Sequence, residues 1–358
     1  MRNGGVEAVN MNYYRNIDRT KIQYDFIIDE DSSNYSLHTE IEVLGGKIIT
    51  VPAYQKPVAY HNALLQLFRE KHYPIVYSHL NTLTVFPLFA AWRAGIPVRV
   101  AHNHSTAGKG EFKRNIMKYS LRPFSKLFPT HLCACSEYAG RWLFGDRAVN
   151  AGKVTVWQNA IDTERFAYSA ALRNETRKWL KLEDKFIVGN AGRFATQKNH
   201  SFLIDIFAEI HRRRDDAVLL LIGDGPLMDT ITQKVMRLGL NDCVIFAGSV
   251  NDIERYYQAM DVFVFPSLYE GLGMVAVEAQ VSGLPVLVST ELPPEAKICS
   301  NIRFLSLKNS AGEWADEALR ILNGHIRRDM SSYAREAGFD IKTQAGKLTE
   351  WYCGLLGL

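Results

Sequence analysis

The sequence has no long apolar run, and this excludes a chain that spans a membrane. None of its apolar runs approaches the roughly 20 residues that a helix needs to cross a bilayer. The densest one, Val85 to Trp92, is interrupted by Pro87 and predicts a buried helix. Behind residues 1–5 there is no hydrophobic segment of the kind found in a secretory signal peptide. We therefore expect a soluble, cytoplasmic chain.

Cysteine is scarce, with five residues in 358. Cys133 and Cys135 alternate along an apolar run, so in a strand they share one face. No matching Cys or His pair with zinc-site spacing lies nearby, and free cysteine is usually buried. We expect core packing, reduced thiols and no metal site.

A strong excess of charge is absent as well, since 42 basic and 38 acidic residues give a net charge of only +4. So small an excess predicts no nucleic-acid partner, although it tolerates an anionic substrate or surface. Hydrophobic residues make up 47% of the chain, which is ordinary for a globular protein, and 358 residues suffice for two separate cores.

What the sequence does have is a series of short runs rich in Val, Ile and Phe, separated by stretches with helical periodicity. Such runs predict parallel strands that are buried on both faces and covered by helices. The predicted strands are residues 24–29, 47–51, 75–78, 98–101, 131–135 and 154–157, then 186–190, 218–222, 244–247, 262–265, 285–289 and 303–307. Two sets of six indicate an α/β protein with two doubly wound, Rossmann-like domains.

The predicted domains are an N-terminal one over residues 1–162 and a C-terminal one over 163–340, with a final helix over 341–358 that packs back toward the first. A doubly wound domain ordinarily begins with a strand that leads into a glycine turn and a helix. Here Gly4 and Gly5 supply the turn, but only three residues precede them. The first strand of the N-terminal domain is therefore missing from the predicted fold. Either the start is misassigned or truncated, or the domain is built without this strand.

The most informative segment is FPSLYEGLGMVAVEAQ, from Phe265 to Gln280. It predicts a strand end, a glycine-containing loop and a helix from about Met274, with Glu270 in the loop and Glu278 in the helix. Open parallel sheets bind ligands in the crevice beyond the carboxyl ends of their strands. Helix N-termini favour anions there, and carboxylates accept hydrogen bonds from sugar hydroxyls.

This segment resembles the signature of glycosyltransferase family 4, in which seven residues separate two glutamates. Four further stretches match the pattern of that family: Gly192-Arg193-Phe194 with Lys198-Asn199, Gly223-Asp224-Gly225-Pro226, Phe246-Ala247-Gly248 and Ser282-Gly283-Leu284-Pro285. The resemblance implies a GT-B fold whose two domains face a cleft, the first binding the acceptor and the second the nucleotide sugar. The chain looks most like bacterial members that build capsular and exopolysaccharide units. The implied reaction is retaining transfer from a UDP-sugar donor to a lipid-linked saccharide or oligosaccharide acceptor.

The resemblance also implies roles for residues of the C-terminal domain. Arg193 and Lys198 match residues that clamp the donor diphosphate, where two cations would neutralise the charge of the leaving group. Glu278 is expected to hold the ribose hydroxyls and Glu270 the transferred sugar. Residues 223–225 are expected to form a structural turn. These two cations and the helix dipole make a metal ion or other cofactor unnecessary.

Backbone groups are expected to assist. The N–H groups of Leu272 and Gly273 support Glu270 in holding the sugar, and Gly4 and Gly5 match a glycine turn that approaches the donor phosphates closely.

No side chain is placed as a nucleophile. We therefore expect front-side attack by the acceptor hydroxyl, with a donor phosphate oxygen taking its proton.

Two histidines follow the predicted strand at 98–101. The family places a functional histidine near the reacting sugar here. His102 is favoured and His104 is the alternative, because the register is ambiguous. We expect it to hydrogen-bond the sugar, which makes His102, Arg193, Lys198 and Glu270 the expected catalytic residues. A structural histidine is the competing interpretation, and no third histidine is spaced to complete a metal site.

Residues 111–128 form a basic amphipathic segment that Pro123 is expected to end or kink. Its cations are Lys113, Arg114, Lys118, Arg122 and Lys126. Such a segment docks on anionic lipid head groups, which would make the enzyme peripheral on the cytoplasmic face of the inner membrane. The alternative is an ordinary helix with a solvated cationic face.

Two other functions compete with transfer. A donor-binding but inactive subunit or truncated form would follow if the first domain is degraded. A sugar-nucleotide epimerase would need acid and base groups at the sugar ring, and no convincing set is present. A dehydrogenase is not indicated, because no strand followed by Gly-x-Gly-x-x-Gly and a helix is present.

Overall fold

The computed structural model describes residues 5–30, 37–104 and 112–358. The chain divides into two compact units, Met1–Asp162 with Gly338–Leu358, and Thr163–Ala337.

The elements of the first unit are α1 (Gly5–Asn16), β1 (Asp25–Asp29), α2 (His38–Val43), β2 (Lys47–Val51), α3 (Pro57–Lys71), β3 (Ile75–Ser78), α4 (Val85–Arg93), β4 (Val98–Asn103), α5 (Phe112–Leu121), β5 (His131–Ala134), α6 (Glu137–Phe144), α7 (Asp146–Asn150), β6 (Val154–Val156) and, at the end of the chain, α15 (Ile341–Leu356). The elements of the second are α8 (Ala170–Leu180), β7 (Phe186–Ala191), α9 (His200–Arg213), β8 (Ala217–Ile222), α10 (Met228–Arg237), β9 (Val244–Gly248), α11 (Ile253–Ala259), β10 (Val262–Phe265), α12 (Met274–Val281), β11 (Val286–Ser289), β12 (Ile302–Leu305), α13 (Ala311–Arg320) and α14 (Ser331–Glu336).

The second unit holds one six-stranded parallel sheet in the order β12-β11-β10-β7-β8-β9. The chain adds strands on one side of β7 and then crosses over to add them on the other, so the strand order reverses between β7 and β10. This is a doubly wound sheet, and the loops that leave β7 and β10 separate at its switch point. The predicted parallel α/β fold is confirmed.

Burial explains why apolar runs become the strands of this sheet. Every residue of β7, β8, β10 and β11 is buried. Trp314 of α13 and Phe207 of α9 are fully buried in the same core. Within β7, Gly189 leaves room for Met260, whose side chain fills the place of a β-carbon. Nearly all of these positions are apolar, as a sheet covered on both faces requires. The two polar side chains donate hydrogen bonds within the core, Asn190 Nδ2 to the carbonyl oxygen of Val264 and Ser289 Oγ to that of Ser267.

The first unit holds two separate parallel sheets, β3-β4-β5-β6 and β1-β2. Over the described ranges, β1 pairs with β2 and not with β3. Gly5 is the first residue of α1 rather than part of a turn before it, and Gly4 lies outside the described residues. Cys133 and Cys135 are both buried, as the sequence predicts.

The last helix of the chain belongs to the first unit. The N–H of Ile161 donates to the carbonyl oxygen of Phe339, and that of Ile341 donates to the oxygen of Ile161, both at 2.9 Å. Helix α15 then lies against α1, and its buried Tyr352 packs its ring edge-on against Tyr24. None of the helices described is both long and apolar enough to cross a bilayer.

Candidate active site

Two loops at the switch point of the second unit are joined by hydrogen bonds. One follows β7 (residues 192–199), and the other follows β10 (residues 266–273). The N–H of Leu268 donates to the carbonyl oxygen of Gln197 at 2.8 Å, and Gln197 Nε2 donates to the oxygen of Tyr269 at 2.9 Å. The side chains on these two loops are therefore held in one place.

Lys198 and Glu270 meet between these loops. Lys198 Nζ lies 2.7 Å from Glu270 Oε1, and Ser267 Oγ donates to the same oxygen at 2.6 Å. Lys198 Nζ also lies 4.7 Å from the centroid of the Phe265 ring. The side chains of Lys198 and Glu270 are only 16% and 7% exposed, so each charge depends on its partner for stabilisation. The structure thus brings together two of the predicted catalytic residues from separate loops.

Glu278 lies nearby in α12, the helix that begins after Gly273. Gly273 has a φ of +81°, a conformation that favours glycine. Tyr257 OH donates to Glu278 Oε2 at 2.8 Å, and no donor to Oε1 is found in the described part of the chain. Burial raises the pKa of Glu278, while the Tyr257 hydroxyl and the charge of Lys198 oppose this effect. Lys198 therefore acts electrostatically on both glutamates.

Groups around this pair provide positive potential for an anion. Arg193 is exposed, and over the described ranges its guanidinium has no hydrogen bond or ion pair. The side chain of Leu272 is buried, while no acceptor is found among the described residues for the N–H groups of Leu272 and Gly273. These groups and the N-terminus of α12 suit a phosphate or a hydroxyl-rich ligand.

A third loop, which follows β8, packs directly against the first. A β-carbon at Gly223 would overlap the carbonyl oxygen of Gly192, and one at Gly225 would lie 2.6 Å from the carbonyl oxygen of Phe194. The N–H of Phe194 donates to the oxygen of Asp224 at 2.9 Å. Packing thus accounts for both glycines of this loop, as the sequence predicts.

His200, the first residue of α9, was not predicted from the sequence as a site residue. Its ring stacks on Phe194 with centroids 4.1 Å apart, and no partner for either ring nitrogen is found in the described structure. Burial lowers the pKa of His200 to about 4, helped by the charge of Lys198. Its position two residues after Lys198 is the signal that was available. Tyr257 and Ser267 were missed as well, and only their contacts identify them.

Three histidines meet at the carboxyl ends of β3 and β4 in the first unit. The rings of His102 and His104 stack with centroids 4.1 Å apart. His79, which follows β3, places Nδ1 at 2.8 Å from His104 Nε2, and Tyr77 OH lies 2.9 Å from His102 Nδ1. The expectation that no third histidine is spaced to join this pair is wrong. The reason is that β3 and β4 are neighbours in the sheet although His79 and His104 lie 25 residues apart.

These three imidazoles are neutral near pH 7. Burial, together with neighbouring histidines, lowers the pKa of His79 and His102 well below the usual value. Burial lowers the pKa of His104 to about 4, and an interaction with the Asn159 side chain opposes it. His102 is therefore suited to hydrogen bonding in its neutral form rather than to donating a proton at neutral pH.

The basic segment 111–128 is described in part, since the side chains of residues 111–114 lie outside the description. Helix α5 ends before one 3₁₀ turn that contains Pro123, in agreement with the sequence. Four large apolar side chains of this segment are more than half exposed: Ile116, Tyr119, Phe124 and Leu127. An apolar surface is thus interleaved with the cations.

A pocket of about 490 Å³ lies at the opposite edge of the second sheet, beside Asp261 and the amino ends of β7, β10 and β11. Its arginines Arg173, Arg177 and Arg327 each donate to carbonyl oxygens at the C-terminal end of α11. Cations at that position stabilise the end of a helix. We therefore assign this pocket a structural role.

Comparisons with known sequences agree with this geometry. The model of Glycosyltransferase Family 4 matches residues 3–165, and that of Glycosyl transferases group 1 matches residues 173–337. Glycosyltransferase EpsF of Bacillus subtilis (strain 168) is 34% identical over 362 residues, which cover 98% of this chain and 94% of that protein. The UDP-Gal:alpha-D-GlcNAc-diphosphoundecaprenol alpha-1,3-galactosyltransferase of Escherichia coli is 26% identical over 304 residues, which cover 82% of this chain and 79% of that enzyme.

Solved structures share the fold. Anabaena HepE in complex with UDP and glucose superposes with a TM-score of 0.80 at 21% identity, covering 98% of this chain and 96% of that one. Its complex with UDP-glucose gives a TM-score of 0.81 at 20% identity, with 99% and 97% covered. WaaG, a glycosyltransferase involved in lipopolysaccharide biosynthesis, gives 0.67 at 14% identity, with 97% and 92% covered. Sequence and fold together show that the chain belongs to glycosyltransferase family 4 and is a glycosyltransferase of the GT-B fold, built from two Rossmann-like domains.

Proposed function

We propose that this glycosyltransferase transfers a sugar from a UDP-sugar to a lipid-linked saccharide or oligosaccharide during synthesis of a surface polysaccharide, with retention of the anomeric configuration. The observation that carries the proposal is the buried pair of Lys198 and Glu270 at the switch point, beside Glu278 and the N-terminus of α12. HepE, solved with UDP and UDP-glucose, supports the uridine donor. The E. coli relative, whose name specifies a diphosphoundecaprenol acceptor, supports a lipid-linked one.

Each polar group at the switch point has a role in this proposal. Arg193 and Lys198 neutralise the diphosphate, and Glu278 holds the ribose hydroxyls through its free oxygen. Glu270 accepts hydrogen bonds from the transferred sugar, assisted by the N–H groups of Leu272 and Gly273. In the first domain, Gly5, the first residue of α1, is proposed to approach the donor phosphates together with Gly4, which lies outside the described residues.

The chemistry is a direct displacement at the anomeric carbon. Glu270 is engaged by Lys198 and Ser267, which suits a hydrogen-bonding role better than a nucleophilic one. The acceptor hydroxyl attacks on the face of the leaving group, the bond to the diphosphate oxygen breaks, and a phosphate oxygen of the departing UDP takes the hydroxyl proton. Positive charge that is preorganised at the diphosphate lowers the barrier. Transfer by this route needs no metal ion or other cofactor, and neutral His102, or His104 in its place, hydrogen-bonds the sugar.

A panel of nucleotide sugars tests the donor. The purified chain is expected to bind a UDP-sugar saturably and to transfer the sugar to a diphosphoundecaprenol-linked saccharide. Lys198→Ala is expected to abolish most turnover. Lys234→Ala, which breaks another short ion pair of the same unit (2.6 Å to Asp205), is the matched control and retains it. Donor binding without transfer to any acceptor would instead indicate an inactive subunit, and isomerisation of the donor without acceptor an epimerase.

The segment 111–128 is proposed to hold the enzyme peripherally on an anionic membrane at the cytoplasmic face, where a lipid-linked acceptor lies. Exposed apolar side chains among cations support this, because they insert at the interface while the cations bind head groups. Replacing the five cations of the segment by Gln should release the protein from vesicles that contain phosphatidylglycerol. Unchanged vesicle binding would exclude this surface.

A further inference from the structure

The histidine cluster of the first unit (His79, His102 and His104) has the donor set of a metal site. Three ring nitrogens, one from each histidine, all lie within 4.8 Å of one another. The cluster is built on adjacent parallel strands, so the sheet itself holds the donors in place.

The contacts around the cluster leave lone pairs for a ligand. His102 is 4% exposed, and within the described structure its Nε2 has no hydrogen-bond partner. An unsatisfied buried nitrogen costs about 1–3 kcal/mol, which a ligand would recover. Tyr77 OH lies at the other nitrogen of His102, where it can accept the Nδ1 proton, and its own hydroxyl also interacts with the Cys133 thiol. In a metal-binding histidine, a hydrogen bond at the ring nitrogen that does not bind the metal fixes which nitrogen carries the proton.

The other two histidines contribute His79 Nδ1 and His104 Nε2, which lie 2.8 Å apart. Nitrogens bound to one tetrahedral zinc ion at about 2.05 Å lie about 3.3 Å from each other. Binding of an ion therefore opens this contact, replaces the hydrogen bond between the two rings and moves its proton to the other nitrogen of the donating ring. Three imidazoles suit zinc and its late first-row neighbours, whereas Mg²⁺ and Ca²⁺ require oxygen ligands.

We propose that His79, His102 and His104 bind one late first-row transition-metal ion, preferably Zn²⁺. The ion ties together the ends of β3 and β4. It occupies Nε2 of His102, the nitrogen with which His102 would hydrogen-bond the sugar, so the ion competes with the sugar there and is not a cofactor of transfer. The proposal goes beyond the proposed transferase function and is tested separately from it, because binding of Zn²⁺ is measured without a donor or an acceptor.

The test uses untagged full-length protein that has been stripped with a chelator and desalted. Titration with Zn²⁺ is expected to show one ion per chain retained through a second desalting, and Mg²⁺ is expected not to bind. Co²⁺ should give the visible absorption bands of a four-coordinate ion with nitrogen ligands. His79→Gln and His104→Gln are each expected to weaken Zn²⁺ binding at least about tenfold.

The matched control is His72→Asn, which changes an exposed histidine of the same unit at a left-handed position that asparagine tolerates. It should bind Zn²⁺ as the unchanged protein does. The proposal is overturned if the unchanged protein retains no Zn²⁺, or if both glutamine variants bind as tightly as the control. If the variants do not fold, the Co²⁺ spectrum of the unchanged protein still decides, because thiolate charge-transfer bands would assign the ion to cysteine instead.

Discussion

At the scale of single residues, the second unit places two carboxylates in different environments. Glu270 has a cation, Lys198, as its partner, whereas Glu278 has a neutral phenol, Tyr257. The surroundings of a carboxylate determine which role it can take in a reaction. The ion pair of Glu270 with Lys198 suits a place near the reacting sugar, where charge develops in the transition state. The hydrogen bond from Tyr257 leaves the other oxygen of Glu278 available to accept a hydrogen bond from a neutral hydroxyl.

This difference predicts that substitutions at these residues affect either kcat or the KM for the donor. Lys198→Ala and Glu270→Ala are expected to lower kcat by about 100-fold, because they remove groups that act in the transition state. Glu278→Ala should mainly raise KM for the donor, since it removes a contact made equally in the ground state. Steady-state kinetics with the donor varied measures both effects. A Lys198→Ala enzyme with unchanged kcat would refute the diphosphate clamp.

Tyr257 is predicted to position Glu278. Tyr257→Phe removes a buried hydrogen bond and should raise donor KM about tenfold with little change in kcat. Because the Tyr257 hydroxyl lowers the pKa of Glu278, the variant should also move the acid limb of the KM profile to higher pH. Tyr256→Phe, at the buried neighbouring residue, serves as the control and should leave the profile in place. An unshifted profile in Tyr257→Phe would leave this tyrosine with a packing role only.

At the scale of elements, the site depends on how closely three loops approach one another at the carboxyl edge of the second sheet. The loop after β8 has no polar side chain assigned to the reaction, yet it supports the loop that carries Arg193 and Lys198. Its glycines are needed because backbone, not a flexible side chain, occupies the space beside Gly223 and Gly225.

Gly223→Ala is therefore expected to destabilise the second unit by about 3 kcal/mol, from overlap with Gly192 and a φ of +128°. Gly239→Ala is the matched control, since Gly239 also has a positive φ (+67°) but open space around it. It should cost about 1 kcal/mol. Urea unfolding of both variants measures the difference, and equal losses would show that close packing of the loops contributes nothing.

At the scale of the whole molecule, both units contain buried neutral histidines, which makes stability depend on pH. The pKa of His104 in the first unit and that of His200 in the second lie at about 4, against 6.5 for an unperturbed histidine. Between these values the unfolded chain binds more protons than the folded one. The free energy of unfolding therefore falls as pH decreases from about 6.5 toward 4, by a few kcal/mol in each unit.

Urea unfolding at pH 7 and pH 5 measures this loss. His200→Gln should reduce the pH dependence of the second unit and leave that of the first unchanged, because the two histidines belong to different units. A pH dependence that the substitution does not alter would mean that His200 keeps its ordinary pKa when folded.

The positions of the twelve strands and the start of α12 were predicted from sequence to within one or two residues. Residues 262–265 and 186–191, for example, are buried throughout because the sheet is covered on both faces, and Asn190 is the one polar residue among them. The pairing of β7 with β10 is different. It joins segments more than 70 residues apart, and no local pattern specifies that the chain crosses the sheet between them.

The sequence by itself determined the order of strands and helices and the residue types of the glutamate motif, because periodicity and glycine placement are local properties. Only the tertiary structure decided that Lys198 contacts Glu270, that Tyr257 holds Glu278 and that His79 joins His102 and His104. Each is a contact between elements far apart in the chain. The first and third form because neighbouring parallel strands end at the same edge of a sheet, whereas Tyr257 and Glu278 lie on the helices before and after β10. The order of strands in a sheet is a property of the packed molecule.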